Sequence, residues 1–182
     1  MDLNDEKKLV ERAKKDPEAF GELYEENYSK IFGYILKRVA DLDIAQDVCA
    51  ETFLKVLRNI WKFRWQNIHF SAWLYRIANN EIANHYRKNK KKKVSLDKIP
   101  EPTSAIDLEE ELMEAQDKLK EHEDFLKAQE KISKLPVKYQ EVITLRFFEK
   151  KQIKEICEIL GKKEGTVKSL LHRGIDLLRR DF

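Results

Sequence analysis

QIKEICEILGKKEGTVKSLLHRGIDLLRR, residues 152–180, has the layout that two crossing helices require. Ile153, Ile156 and Ile159 recur at helical spacing and make the buried face of a first helix. Gly161 follows at the turn, where a residue without Cβ adopts the left-handed conformation at least cost. Cys157, four residues earlier, is small and lets a second helix approach, which Val167, Leu170 and Leu171 then anchor to the first. Lys163, Glu164, Thr166, Lys168, Ser169, His172 and Arg173 are left pointing outward near the start of that second helix. A helix that inserts its N-terminal half into the major groove presents such a set to base edges and phosphates. Surface helices of small bundles also carry charge on their outer faces. Here the turn glycine, the small residue, the branched core positions and the basic outer side all agree, so the stretch predicts a helix-turn-helix that binds duplex DNA.

A second stretch, HFSAWLYRIANNEIANHYRKNKKKK (residues 69–93), places a tryptophan on a helix that runs into a string of lysines. Advancing ~100° per residue from Trp73 puts Leu74, Ile77, Ala78 and Ile82 on one buried face. The opposite stripe carries Arg76, Asn80, Ala83, Arg87 and Lys90, with Trp73 and Asn84 on its edge. Cations and amides along one face suit a phosphate backbone, and an aromatic at its edge suits a base that has left its stack. Trp61, Phe63, Trp65 and Phe70 lie in or beside the preceding irregular segment, WKFRWQNIHF, and are candidates for the walls of a base pocket. A lysine run alone would be an ordinary solvated linker start. Paired with a downstream helix-turn-helix, it predicts a second DNA contact, made to a strand being opened.

The rest of the chain fits two nucleic-acid contacts. With 182 residues, 42% hydrophobic and 38% charged, it is long enough for one or two compact domains and too apolar for wholesale disorder. The net charge of +3 conceals segregation: residues 1–100 carry 20 basic and 15 acidic groups, residues 101–128 carry 3 and 10, and residues 129–182 carry 13 and 8. Two basic blocks joined by an acidic strap predict polyanion contact at both ends. Cys49 and Cys157 are far apart without C-x-x-C spacing, which argues against a disulfide scaffold or a zinc site. The N-terminus has no apolar core of a signal peptide, and no apolar run approaches the ~18 residues of a membrane span, so a cytoplasmic protein is expected.

Helical periodicity dominates, with only 5 Gly and 4 Pro. Asp16-Pro17 caps and opens a helix over AFGELYEENYSKIFGYILKRV, whose apolar positions 20, 23, 24, 28, 31, 32 and 35 make one face. Further helices are expected over about 42–60 and 71–92. Pro100 and Pro102 then break the chain, and Leu135-Pro136 opens a last unit of about four short helices. The expected fold is all-α: two small helical domains joined by an acidic linker, the C-terminal one a helix-turn-helix.

The strings DIAQDVCAETFLKVLRNIWKF, FSAWLYRIANNEIANHYRK and LPVKYQEVITLRFFEKKQIKEICEILGKKEGTVKSLLHRG, in that order, resemble the sigma-70 family and its small extracytoplasmic-function (ECF) group. The resemblance implies region 2 over residues 1–94, a linker over 95–128 and region 4 over 129–182. It implies an alternative sigma factor that binds core RNA polymerase, recognises a minus thirty-five element as duplex and helps to open a minus ten element. It implies polymerase docking through Asp47 and Glu51 on the β′ clamp helices, with further contact to the β subunit. Helical projection puts Asp47, Glu51 and Arg58 on one exposed stripe with Leu54 among them. DNA contacts are expected from Trp73, Arg76, Asn80, Asn84, Arg87 and Lys88 in the first domain. In the second they are expected from Lys163, Thr166, Lys168, Ser169, His172 and Arg173. An anti-sigma factor is a further implied partner, and the acidic linker is expected to thread the polymerase cleft as a nucleic-acid mimic.

The chain departs from the family pattern at several places. Ala50 replaces the usual glutamine before Glu51, Lys163 stands where a capping serine is usual, and Leu170 replaces a common arginine. Arg76 and Ile77 occupy the places of the paired melting tryptophans of housekeeping members, so opening is expected to rely on base capture more than on a wedge.

Two other functional classes leave weaker signatures in the sequence. His69, His85, His122 and His172 sit in separate elements with no metal-binding pairing, and the chain has neither a Walker loop nor a G-x-S-x-G, so no enzyme, cofactor or metal is expected. A helix-turn-helix repressor or activator acting without polymerase docking is the alternative function, and it leaves the Trp73 helix unexplained.

Overall fold

The computed structural model describes residues 3–65, 69–92 and 127–180, and every regular element among them is helical. Eight α-helices follow in chain order: α1 (Leu3–Ala13), α2 (Pro17–Val39), α3 (Leu42–Asn59), α4 (Phe70–Lys92), α5 (127–134), α6 (Val137–Ile143), α7 (Ile153–Leu160) and α8 (Glu164–Arg180). The linker expectation over 95–128, with its prolines and carboxylates, falls almost entirely on 93–126, outside the described residues, as does the side chain of Lys90.

Local signals set the helix ends of the N-terminal unit. Asp16 caps α2 by accepting from the Glu18 N–H at 3.0 Å, and Pro17 supplies a first residue with φ already suited to the helix. Ala40 ends α2 in the left-handed region at φ 52, and Asp41 immediately caps α3 by accepting from the Ile44 N–H at 2.9 Å. Leu23, Ile31 and Ile35 of α2 pack with Val48, Phe53 and Val56 of α3 and with Leu74, Ala78 and Ile82 of α4. Each such buried Val, Leu, Ile or Phe side chain contributes about 1.5–3 kcal/mol. Burial also pushes the Cys49 thiol up to about 11, which leaves it a protonated packing group.

The start of α4 is set by tertiary contact. Glu6 of α1 is buried, and its carboxylate accepts from the Phe70 N–H at 3.1 Å and meets His69 Nδ1 at 2.9 Å. A carboxylate on the free N–H groups of a first turn both caps the helix and answers its dipole. Neither α1 nor this cap is expected from the sequence reading above.

In the C-terminal unit, α6 runs into a wider turn over Thr144–Phe148, closed by the Glu149 N–H on the Thr144 carbonyl at 3.0 Å. Gly161 ends α7 at φ 62, and its N–H bonds the Cys157 carbonyl. Gly174 lets α8 lie against α6, because a Cβ there would stand 2.8 Å from Ile143 Cδ1 and 3.3 Å from Tyr139 Cβ.

Several expectations shift. The buried face of α2 is rotated toward Asn27, Tyr34 and Arg38, and Tyr24 is exposed, because α4 lies against the far side of that helix. Ile77, Ile153 and Leu170 are only half-buried, while Tyr75 is buried. The last unit begins with α5, before Leu135-Pro136, and the proline merely separates α5 from α6.

Candidate nucleic-acid interface

Beside α4 lies a cleft of about 910 Å³, walled by α3, the segment after it and the outer face of α4. Its aromatic floor is Phe63 with Trp73, whose ring centroids are 5.0 Å apart; Trp73 is half-buried and rests on Phe70 as well, at 5.5 Å. Phe70 itself is core, Trp65 meets the edge of Phe63 at 6.3 Å, and Trp61 is 65% exposed on another side of the unit. Only part of the expected aromatic wall therefore faces the cleft.

Five cations line it: Lys55, Lys62, Arg64, Arg76 and Arg87. Asn59, Asn80 and Asn84 add amides, and the carboxylate of Glu81 sits low in the wall, 8% exposed. Glu81 is held by Lys55 Nζ at 2.5 Å and by Asn84 Nδ2 at 3.2 Å, and Asn84 Oδ1 in turn accepts from Arg87 at 2.9 Å. The network fixes the amide and guanidinium while leaving Arg87 and Asn80 exposed. Lys55, Asn59, Lys62 and Arg64 were missed by the sequence reading. They belong to α3 and its exit, and only the pairing of α3 with α4 brings them to this face. Lys88 does not join the cleft. It lines a smaller groove, of about 390 Å³, with Asp47, Glu51 and His85.

On α3, Asp47, Glu51, Leu54 and Arg58 are all exposed, Leu54 by 43%. Leu57 and Trp61, exposed by 49% and 65%, extend the apolar part of that surface, and Trp61 Nε1 donates to the Arg58 carbonyl at 3.0 Å. Their spacing from Leu54, at +3 and +7, is a helical stripe that the sequence reading could have picked out.

On α8, Val167, Leu171 and Gly174 are buried, and Lys163, Thr166, Lys168, Ser169, His172 and Arg173 are exposed. Lys168 pairs with Glu164 at 2.6 Å and His172 with Asp176 at 2.9 Å, both one turn apart on the helix. The Lys163 carbonyl accepts from the Thr166 and Val167 N–H groups, so Lys163 stands at the cap position through its backbone.

A helix-turn-helix joined to a separate basic and aromatic cleft defines a DNA-binding protein of two helical units. The family description Sigma-70 region 2 matches residues 23–92, and Sigma-70, region 4 matches residues 125–178. The chain is 32% identical over 186 residues to the ECF RNA polymerase sigma factor SigW of Bacillus subtilis, a match covering 100% of this chain and 98% of that protein. It is also 32% identical over 174 residues to the ECF RNA polymerase sigma factor BldN of Streptomyces coelicolor, covering 94% of this chain but 64% of that longer protein. A solved structure of CnrH in complex with the cytosolic domain of CnrY shares the fold, with a TM-score of 0.69, 18% identity and coverage of 98% of this chain and 96% of that one. The chain belongs to the sigma-70 family and, within it, to the ECF sigma factors.

Proposed function

We propose that this sigma factor directs core RNA polymerase to its promoters by dividing DNA recognition between two faces. The exposed face of α8 reads the minus thirty-five element as duplex, with Thr166 and Ser169 on base edges and Lys163, Lys168, His172 and Arg173 toward phosphates. The cleft beside α4 holds the unpaired non-template strand of the minus ten element. There Trp73 and Phe63 offer a stacking surface, Asn80 and Asn84 offer hydrogen bonds, and Arg76 and Arg87 offer charge. Lys88 contributes charge from the neighbouring groove. The α3 stripe of Asp47, Glu51, Leu54 and Arg58, extended by Leu57 and Trp61, docks on the polymerase β′ clamp helices, and region 4 meets the β subunit.

One observation carries this reading: the aromatic and cationic cleft is built on a different unit from the recognition face, so neither is redundant with the other. A repressor acting through α8 alone would have no use for the cleft. The protein performs no bond chemistry of its own in this account. It acts in the cytoplasm, and an anti-sigma factor is a proposed partner from family membership. Among the described residues no helix is long and apolar enough to cross a membrane.

The test is run-off transcription with purified core enzyme. The wild type is expected to confer promoter-specific initiation. Asp47→Arg with Glu51→Arg is expected to abolish it and to prevent co-purification with core enzyme, since like charges at an interface cost several kcal/mol. Specific DNA binding with no polymerase-dependent initiation would support the repressor reading instead.

A further inference from the structure

Among the described residues that line the cleft beside α4, Glu81 is the single acid, set against five cations. A site that holds phosphates gains nothing from a carboxylate of its own, since like charges repel. The Glu81 side chain is only 10% exposed and lies 2.5 Å from Lys55 Nζ, across 26 residues of chain. Pinning α3 to α4 does not require this pair. Apolar groups of similar size in such a place are often neutral or stabilising, whereas a buried charge costs desolvation. That cost is offset if the carboxylate is used by what enters the cleft.

The hydrogen bonds around Glu81 show which groups remain for a ligand. Lys55 Nζ and Asn84 Nδ2 both donate to Oε1, at 2.5 and 3.2 Å, and Oε2 has no partner among the described residues. Asn84 Oδ1 is taken by Arg87 at 2.9 Å. On the α3 side, Asn59 Nδ2 donates to the Lys55 carbonyl at 2.8 Å, which leaves Asn59 Oδ1 as an acceptor. Lys55, whose side chain is 43% exposed, keeps further ammonium donors beside the carboxylate. The wall between α3 and α4 thus offers acceptors and one cationic donor next to the aromatic floor of Phe63 and Trp73.

We propose that Glu81 selects the captured base, favouring adenine or cytosine over thymine or guanine. The inference rests on the reading of the cleft given above and adds which bases that cleft takes. A base stacked on the floor turns its Watson–Crick edge to the wall. The amino group of adenine or cytosine projects from the ring and donates to Glu81 Oε2, while the neighbouring ring nitrogen accepts from Lys55. Thymine O4 and guanine O6 fill the same projecting position with an acceptor. An oxygen facing a carboxylate leaves both without a partner. The ring N–H of thymine or guanine is recessed behind that oxygen and does not reach a carboxylate set low in the wall. In duplex DNA these edges are covered by the complementary base, so the selection acts on an unpaired strand.

The experiment uses the full chain assembled with core enzyme and fluorescence anisotropy of labelled promoter fragments unpaired across the minus ten element. Each non-template position carries each base in turn. The wild type is expected to favour adenine or cytosine at one position by at least about fivefold, the lower range for a specific base contact. Purine in place of that adenine, or pyrimidin-2-one in place of that cytosine, removes only the amino group and should lose the same factor. Glu81→Gln, whose amide carries both a donor and an acceptor, should bring amino and keto bases to near equality there. Preferences at other positions should not move. Absence of an amino preference at every position, or undiminished binding of the analogues by the wild type, would overturn the selection without any variant. A preference that survives Glu81→Gln would overturn the role of Glu81, and so would an equal loss at every position, which marks a structural prop. If unpairing the minus ten element brings no gain in binding, the reading of the cleft fails and the inference with it.

Discussion

The outer face of α8 and the cleft beside α4 are opposite constructions. Every candidate contact on α8 comes from one run of eleven residues, Lys163 to Arg173, and the ion pairs there are one helical turn long. The cleft is assembled from α3, the segment at Phe63 and Arg64, and α4, and its polar floor depends on a bond between residues 26 apart, Lys55 and Glu81. A face built along one helix tolerates change residue by residue. A cleft built from three segments exists only while their shared core holds, so its aromatic floor serves stability and binding together.

That contrast can be broken by substitution, and the largest effect is expected under the cleft. Phe70 is fully buried and carries Trp73, so Phe70→Ala should cost about 3–5 kcal/mol in urea denaturation. Strand binding should be lost in the same variant. A stable protein with an unaltered Trp73 emission spectrum would show that the floor does not depend on the core.

The back of α8 is expected to be the next most sensitive position. Gly174→Ala sets a methyl against Ile143 and Tyr139 and should cost about 1–3 kcal/mol, measured as a lower urea midpoint. Its front should behave otherwise. Lys168→Ala and Arg173→Ala should leave the midpoint within about 0.5 kcal/mol, because both side chains are exposed. Each should lower the slope of log affinity against log salt for promoter duplex by about one. An unmoved slope would mean that this face does not meet phosphates.

A smaller effect on stability than that of Gly174→Ala is expected at the start of α7. Glu155 accepts from the Gln152 N–H at 2.7 Å. Burial alone would raise its carboxyl, but that bond and the Lys151 ammonium outweigh it and hold it below the ordinary value. A carboxyl lowered in the folded state contributes stability above its unfolded value, and that contribution is lost as pH falls through the folded one. Glu155→Gln should therefore cost about 0.5–1 kcal/mol near neutrality and progressively less below about pH 4. An equal cost at both pH values would assign the effect to shape alone.

How much was legible in the sequence follows the same division. The turn at Gly161, the anchors Val167 and Leu171 and the outward set on α8 are read from spacing within one stretch, and they stand so in the fold. The caps Asp16 and Asp41 act within three residues, and the Asp16-Pro17 start was read from the chain directly. What escaped was long-range. The cap that Glu6 places on α4 spans 64 residues, and the buried Arg38 bonds Asn79 of α4, 41 residues away. Lys55 and Lys62 looked like surface charges of α3 because no local pattern says which helix will lie beside them. Lys88, expected among the DNA contacts, lines a neighbouring groove with Asp47 and Glu51, a placement that its position in the chain does not reveal.

The central claim is that the cleft holds a strand already unpaired while α8 reads duplex. It is tested most directly by Asn80→Ala with Arg87→Ala, since both side chains are exposed and their loss leaves the core intact. Run-off transcription with core enzyme would compare this variant with the wild type on a fully duplex promoter and on one mismatched across the minus ten element. The account predicts a loss of about tenfold on duplex, in line with ~1–3 kcal/mol per captured base, and near wild-type initiation on the premelted template, where unpairing no longer draws on capture. An equal loss on both templates, or no loss on duplex, would contradict it.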